Sequence, residues 1–142
     1  MSGLVIDASA ALAWLFGEND EGAWLEDQAE RGSFAAPWLW RIEVVNAILV
    51  KERRGHITQA QSARYFRVLA ALQIEFVPEP TSRTLEQLAM IARPHQLTAY
   101  DAVYLELAMT LGRPLYTLDK NLRDAAIRVG IELTGSPRAH GV

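Results

Sequence analysis

Four acidic residues carry the chemistry of this 142-residue chain. Asp7 ends the short run Leu4-Val5-Ile6, and Asp119 follows the run Leu115 to Leu118. Glu43 and Asp101 interrupt the otherwise apolar stretches Trp40 to Val45 and Ala99 to Leu105. Taken singly, each has a bland explanation: a helix entry, a turn, or an answer to the positive end of a helix. Brought within a few ångströms, each pair would repel by about 1–4 kcal/mol. A divalent cation relieves such a load, and an all-oxygen donor set suits Mg²⁺ or Mn²⁺ better than zinc.

The surrounding pattern predicts the elements that must position these acids. Leu4 to Ile6, Ser33 to Ala36, Ile74 to Val77 and Leu115 to Leu118 read as short buried strands. Between them lie helical stretches: Ala10 to Phe16 with Ser9 as cap, Glu21 to Arg31, Leu39 to Arg54, one capped by Thr58, Thr81 to Ala92, Thr98 to Leu111, and Asn121 to Val129. Ile42, Val45, Ala47, Ile48 and Leu49 are assigned to the apolar side of the third helix. Ile131 to Leu133 reads as a final edge strand, and 135–142 as a flexible tail after a single domain over 1–134. Alternation of short apolar strands with amphipathic helices predicts a three-layer α/β/α sandwich around a mainly parallel sheet. Ligands of such sheets bind beyond the carboxyl ends of the strands. By this rule all four acids fall at one edge.

Composition narrows the classes. Half the residues are hydrophobic and 22% are charged, a globular balance. There is no cysteine, which excludes disulfides, thiol catalysis and cysteine metal sites. No apolar stretch reaches bilayer length, and no basic segment precedes the apolar start, so a soluble, cytoplasmic protein is expected. The net charge of −3 argues against a nucleic-acid partner. Setting the four acids aside, however, leaves fourteen cations against thirteen anions. Lys51, Arg53 and Arg54 cluster after the Glu43 helix, where they either contact phosphates or form a solvated helix end. Trp14, Trp38 and Trp40 are assigned to the core or to a partner interface.

Val5-Ile6-Asp7-Ala8-Ser9-Ala10, Ile42-Glu43-Val44-Val45-Asn46-Ala47, Tyr100-Asp101-Ala102 and Thr117-Leu118-Asp119-Lys120-Asn121-Leu122, in that order and spacing, resemble the PIN domain, and within it the VapC-type toxins of toxin–antitoxin pairs. The resemblance implies an endoribonuclease dependent on Mg²⁺ or Mn²⁺. It implies that Asp7 and Asp101 hold the metal, that Asp119 does so directly or through water, and that Glu43 acts one step further out or on a second ion. Ser9 and Thr117 would support the site by hydrogen bonds. Asn46, one turn from Glu43, would either orient that carboxylate or remain a surface amide. Asp124 ranks behind Asp119 as the fourth acid.

The chemistry so implied is attack on the phosphodiester by metal-activated water, leaving a 5′-phosphate and a 3′-hydroxyl. RNA (transfer, ribosomal or messenger), a cognate antitoxin and a second copy of the chain are the implied partners. Rival readings lack their residues. A haloacid-dehalogenase-type phosphohydrolase needs an Asp where Ser9 stands, and no phosphate-binding glycine loop is present. The alternative from another class is a catalytically silent module of the same fold that binds protein or RNA.

Overall fold

The computed structural model describes residues 3–17, 32–78 and 84–134. Its elements run β1 (Gly3–Ile6), α1 (Ala8–Leu15), β2 (Ser33–Pro37), α2 (Leu39–Arg53), α3 (Gln59–Ala70), β3 (Ile74–Val77), α4 (Leu85–Ala92), a 3₁₀ turn (Arg93–His95), α5 (Ala99–Leu111), β4 (Leu115–Tyr116) and α6 (Lys120–Arg128). The helix expected over 21–31 and the tail from 135 lie outside the described residues, and the helix expected from Thr81 begins only at Leu85, after an extended Thr84.

The four strands form one parallel sheet in the order β3-β2-β1-β4. That order, with right-handed crossovers, decides where the helices go. The chain steps from β1 to β2 to β3 in one direction, which puts the intervening helices on one face. The return to β4, on the far side of β1, puts the later helices on the other. The contacts agree: α1, α2 and α3 pack among themselves, and α5 packs with α4 and α6. Val5, Ile6, Ala35, Ala36, Leu115 and Tyr116 are fully buried between the layers. Burying each larger side chain contributes about 1.5–3 kcal/mol, which is what holds so short-stranded a sheet together.

Local signals explain most helix ends. Thr58 caps α3 in a reciprocal pair with Gln61, and Thr84 caps α4 likewise with Gln87. Thr98 caps α5 through the Asp101 N–H. Gly112 ends α5 with φ 64° and its N–H bonded to the Ala108 carbonyl. A Cβ at Gly112 would meet nothing within 4 Å, so an alanine there suffers only backbone strain. Gly112→Ala is expected to destabilise the fold by about 1–2 kcal/mol, read as a lower urea midpoint with an unchanged slope.

The structure refines four sequence expectations. Asp7, not Ser9, caps α1, which starts at Ala8. Helix α2 buries Trp40, Val44 and Ile48, while Ile42 and Val45 stand 55% and 40% exposed. Its apolar residues occupy more than one face, and contact with β2 and α3 chose among them. Of the tryptophans, Trp40 is buried, Trp14 half-buried and Trp38 exposed. Beyond β4, Leu133 makes a single parallel bridge to Leu115 rather than a full strand.

Candidate active site

The sheet reverses direction at β1. Helix α1 leaves β1 toward one face, and α6 leaves β4 toward the other. The crevice at the carboxyl ends of β1 and β4 is therefore the natural ligand site of this topology. Asp7 and Asp119 lie there because each terminates a strand and caps the helix that follows.

Asp7 is the most constrained. Only 4% exposed, it accepts at Oδ1 from the Ala10 N–H at 3.0 Å and from Ser9 Oγ at 2.7 Å. Its Oδ2 accepts from the Thr117 hydroxyl, across the β1/β4 boundary. Ser9 Oγ in turn accepts from the Leu118 N–H at 3.1 Å, and Thr117 Oγ1 accepts from the Asp119 N–H at 3.0 Å. Two hydroxyls thus lock one carboxylate to the turn that carries another. Among the described residues, Ser9 and Thr117 are the two side chains that hydrogen-bond to Asp7. Asp119 caps α6 by accepting from the Leu122 N–H through Oδ2 at 2.9 Å, which leaves Oδ1 for a ligand.

Asp101 and Glu43 come from opposite layers. Asp101 lies in the first turn of α5 and Glu43 in the second turn of α2. Asp101 is the hub of the cluster. Its charge acts on Asp7 and on Glu43, and the charge of Asp119 acts on it. Asp101 is thus the acidic neighbour through which Asp7, Glu43 and Asp119 meet.

Burial raises the Asp7 carboxyl, which the Thr117, Ala10 and Ser9 hydrogen bonds partly offset and Asp101 pushes up again, to about 6. Glu43 and Asp101 are also raised, chiefly by burial and then by their acidic neighbours. Among the described residues no Lys or Arg pairs with any of the four. Among the described residues the four acids offer oxygen donors and no paired cation, which is the chemistry a hard divalent cation satisfies. Among the described residues no three side chains close into a ready-made metal cage. Mg²⁺ does not need one, since it commonly binds through one or two carboxylates and keeps several waters. The residues fit Mg²⁺ or Mn²⁺ on these grounds.

Two residues escaped the sequence reading. The Tyr104 hydroxyl donates to Glu43 Oε1 at 2.6 Å. Arg123 donates to the Thr117 carbonyl at 3.2 Å and so brings a guanidinium to the end of β4. The available signal was spacing: Tyr104 follows Asp101 by three residues, and Arg123 follows Asp119 by four, one helical turn in each case.

Other candidates stand apart. Asn46 is exposed and, among the described residues, makes no hydrogen bond to Glu43, whose partner is Tyr104 instead. Lys51, Arg53 and Arg54 lie about 12–17 Å along α2 from Glu43, toward the amino edge of the sheet. The Lys51 ammonium sits 4.6 Å over the Phe16 ring. Asp124 pairs with Lys120 at 2.9 Å, which holds its carboxyl below the usual range. An apolar groove of about 390 Å³, lined by residues of α2, α3 and β3 that include Trp40, Arg41 and Phe76, contains none of the four acids.

The fold and the site define an α/β protein with an acidic crevice at its topological switch point. The family model for the PIN domain matches residues 4–128, and the chain belongs to that family. It is 29% identical over 126 residues to Ribonuclease VapC3 of Pyrobaculum aerophilum, a match covering 85% of this chain and 92% of that relative. A crystal structure from Pyrobaculum aerophilum superposes with a TM-score of 0.68 at 26% identity, over 87% of this chain and 79% of that one. VapBC2 from Rickettsia felis, solved bound to a DNA fragment from its promoter, gives 0.67 at 12% identity over 93% and 97%, a likeness of fold alone.

Proposed function

We propose that this chain is an endoribonuclease dependent on Mg²⁺ or Mn²⁺ and the toxin of a toxin–antitoxin pair. The observation that carries the reading is the placement of Asp7 and Asp119 at the ends of the adjacent strands β1 and β4, tied to one another through Ser9 and Thr117, with Asp101 as their acidic neighbour. The ribonuclease name of the Pyrobaculum relative supports the substrate class. A cognate antitoxin, pairing of two copies and a cytoplasmic location follow from the VapC-type resemblance. Among the described residues, no helix is long and apolar enough to cross a membrane.

Asp7, Asp101 and Asp119 would hold the cation. When bound, it supplies a water of lowered pKa and offsets charge on the scissile phosphate. The chain's own residues do the rest. Thr117 and Ser9 fix the Asp7 carboxylate so that it need not reorganise on binding. Glu43, beside Asp101, orients the attacking water or holds a second ion. Arg123, at the end of β4, is placed to meet a phosphate oxygen. Lys51, Arg53 and Arg54 would serve only RNA that runs along α2. The domain is proposed to span 1–134.

Cleavage of end-labelled total RNA by the purified chain tests the proposal, with Mn²⁺, with EDTA, and beside Asp101→Ala. Discrete fragments with 5′-phosphate ends are expected, lost in EDTA and reduced at least ~100-fold by the substitution. Metal binding without cleavage of any RNA, alongside retained protein contacts, would favour the silent binding module. Cleavage that survives the substitution would remove the acidic crevice from consideration.

A further inference from the structure

Tyr104 is 1% exposed, and its ring belongs to the core of the α5 layer. Its hydroxyl emerges at the meeting of three elements. It donates to Glu43 Oε1 on α2 at 2.6 Å, faces the backbone N–H of Ala8 at the start of α1, and feels the charge of Asp7. A buried phenol seeking only satisfaction could use any backbone carbonyl. This one gives its single proton to an acid of the site. Glu43 also needs the help. It is half-buried beside Asp101, whose charge repels it, and its long side chain can escape that repulsion by rotating toward solvent. Asp101 and Tyr104 lie one turn apart on the same helix. The helix that brings the repelling carboxylate therefore also brings the group that holds Glu43 in place.

We infer that Tyr104 is a positioning residue whose hydroxyl fixes the Glu43 carboxylate beside Asp101, in the orientation the site uses. This rests on the metal-dependent nuclease reading above. Hydroxyls that orient the carboxylates of a metal site typically change metal affinity or activity by about 10–100-fold when removed.

The test is a cycle of Tyr104→Phe, Glu43→Ala and the double variant in the full chain. It is read by Mn²⁺ titration calorimetry, by kcat and KM for RNA cleavage, and by thermal melting. Tyr104→Phe alone is expected to lower kcat about 10–100-fold and to weaken Mn²⁺ binding, with KM within about twofold. In the Glu43→Ala background the same change should cost less than about twofold, because the acceptor it positions is gone. A purely structural tyrosine would lower melting and activity equally in both backgrounds, and that outcome overturns the inference. So does full activity in Tyr104→Phe. Should Tyr104→Phe fail to fold, 3-fluorotyrosine at position 104 keeps the ring and the hydroxyl, adds one small fluorine and makes the hydroxyl more acidic. A changed kcat is then expected, and an unchanged one overturns the role. A wild-type chain that neither takes up Mn²⁺ nor cuts RNA overturns the nuclease reading itself. A wild-type chain that does both, with additive variants, overturns only the part played by Tyr104.

Discussion

Asp7→Asn is expected to abolish cleavage while making the metal-free protein more stable at neutral pH. The two effects have one cause. Asp7 is buried, coupled to Asp101 and, among the described residues, unpaired with any cation, so its carboxyl is held up at about 6 in the folded state. Between about pH 4 and pH 6 the unfolded chain has released a proton that the folded chain still keeps. Raising the pH through that window therefore costs stability, and the full cost, about 3 kcal/mol, is present above about pH 6. Asparagine removes the charge and keeps the acceptor for the Ala10 N–H and Ser9, so α1 stays capped. The gain should be about 1–3 kcal/mol, less whatever the Thr117 contact loses, and amounts to several degrees in Tm. It should shrink toward zero near pH 4. Cleavage should fall at least ~1,000-fold, because in the proposed site Asp7 is a principal oxygen donor for the cation. Melting curves at pH 4 and pH 7.5, with the cleavage assay, check both halves. A destabilised, active variant would mean that Asp7 serves only as a helix cap.

Apparent Mn²⁺ affinity should rise steeply with pH up to about 6 and level off above it. A proton on Asp7 competes with the cation for the same oxygens. With the carboxyl titrating near 6, about a tenth of the sites have Asp7 ionised at pH 5 and nearly all by pH 7.5. Asp7 alone then weakens binding about tenfold at pH 5, and the raised carboxyls of Glu43 and Asp101 steepen the fall. Calorimetric titrations at pH 5, 6, 7 and 7.5 give the profile, and Asp7 should release about three-quarters of a proton per ion bound at pH 5.5. A flat profile would remove Asp7 from the ligand set. Added Mn²⁺ should also raise Tm more at pH 7.5 than at pH 5, since it neutralises a charge that is destabilising only at the higher pH.

The alternation of short apolar strands and capped helices, and with it the parallel α/β class, is legible in the order of the residues alone. The same order placed Asp7 and Asp119 just past strand ends and Asp101 in a helix's first turn, and the carboxyl-edge rule did the rest. These are local facts: a β-branched run, a threonine three residues before a bonded N–H, an acid interrupting an apolar stretch. The tertiary structure decided what depends on strand order. With β4 beside β1, Thr117 reaches Asp7 across 110 positions of sequence, and with α2 and α5 in opposite layers, Tyr104 reaches Glu43 across 61. No periodicity encodes such contacts. The same holds for α2, whose apolar residues span several faces until β2 and α3 cover Trp40, Val44 and Ile48 and leave Ile42 outside. Ser9 shows the boundary most plainly. Its type suggested a helix cap, but Asp7 fills that position, and Ser9 instead ties Asp7 to the Leu118 N–H across the β1/β4 crevice, which exists only once the sheet has formed.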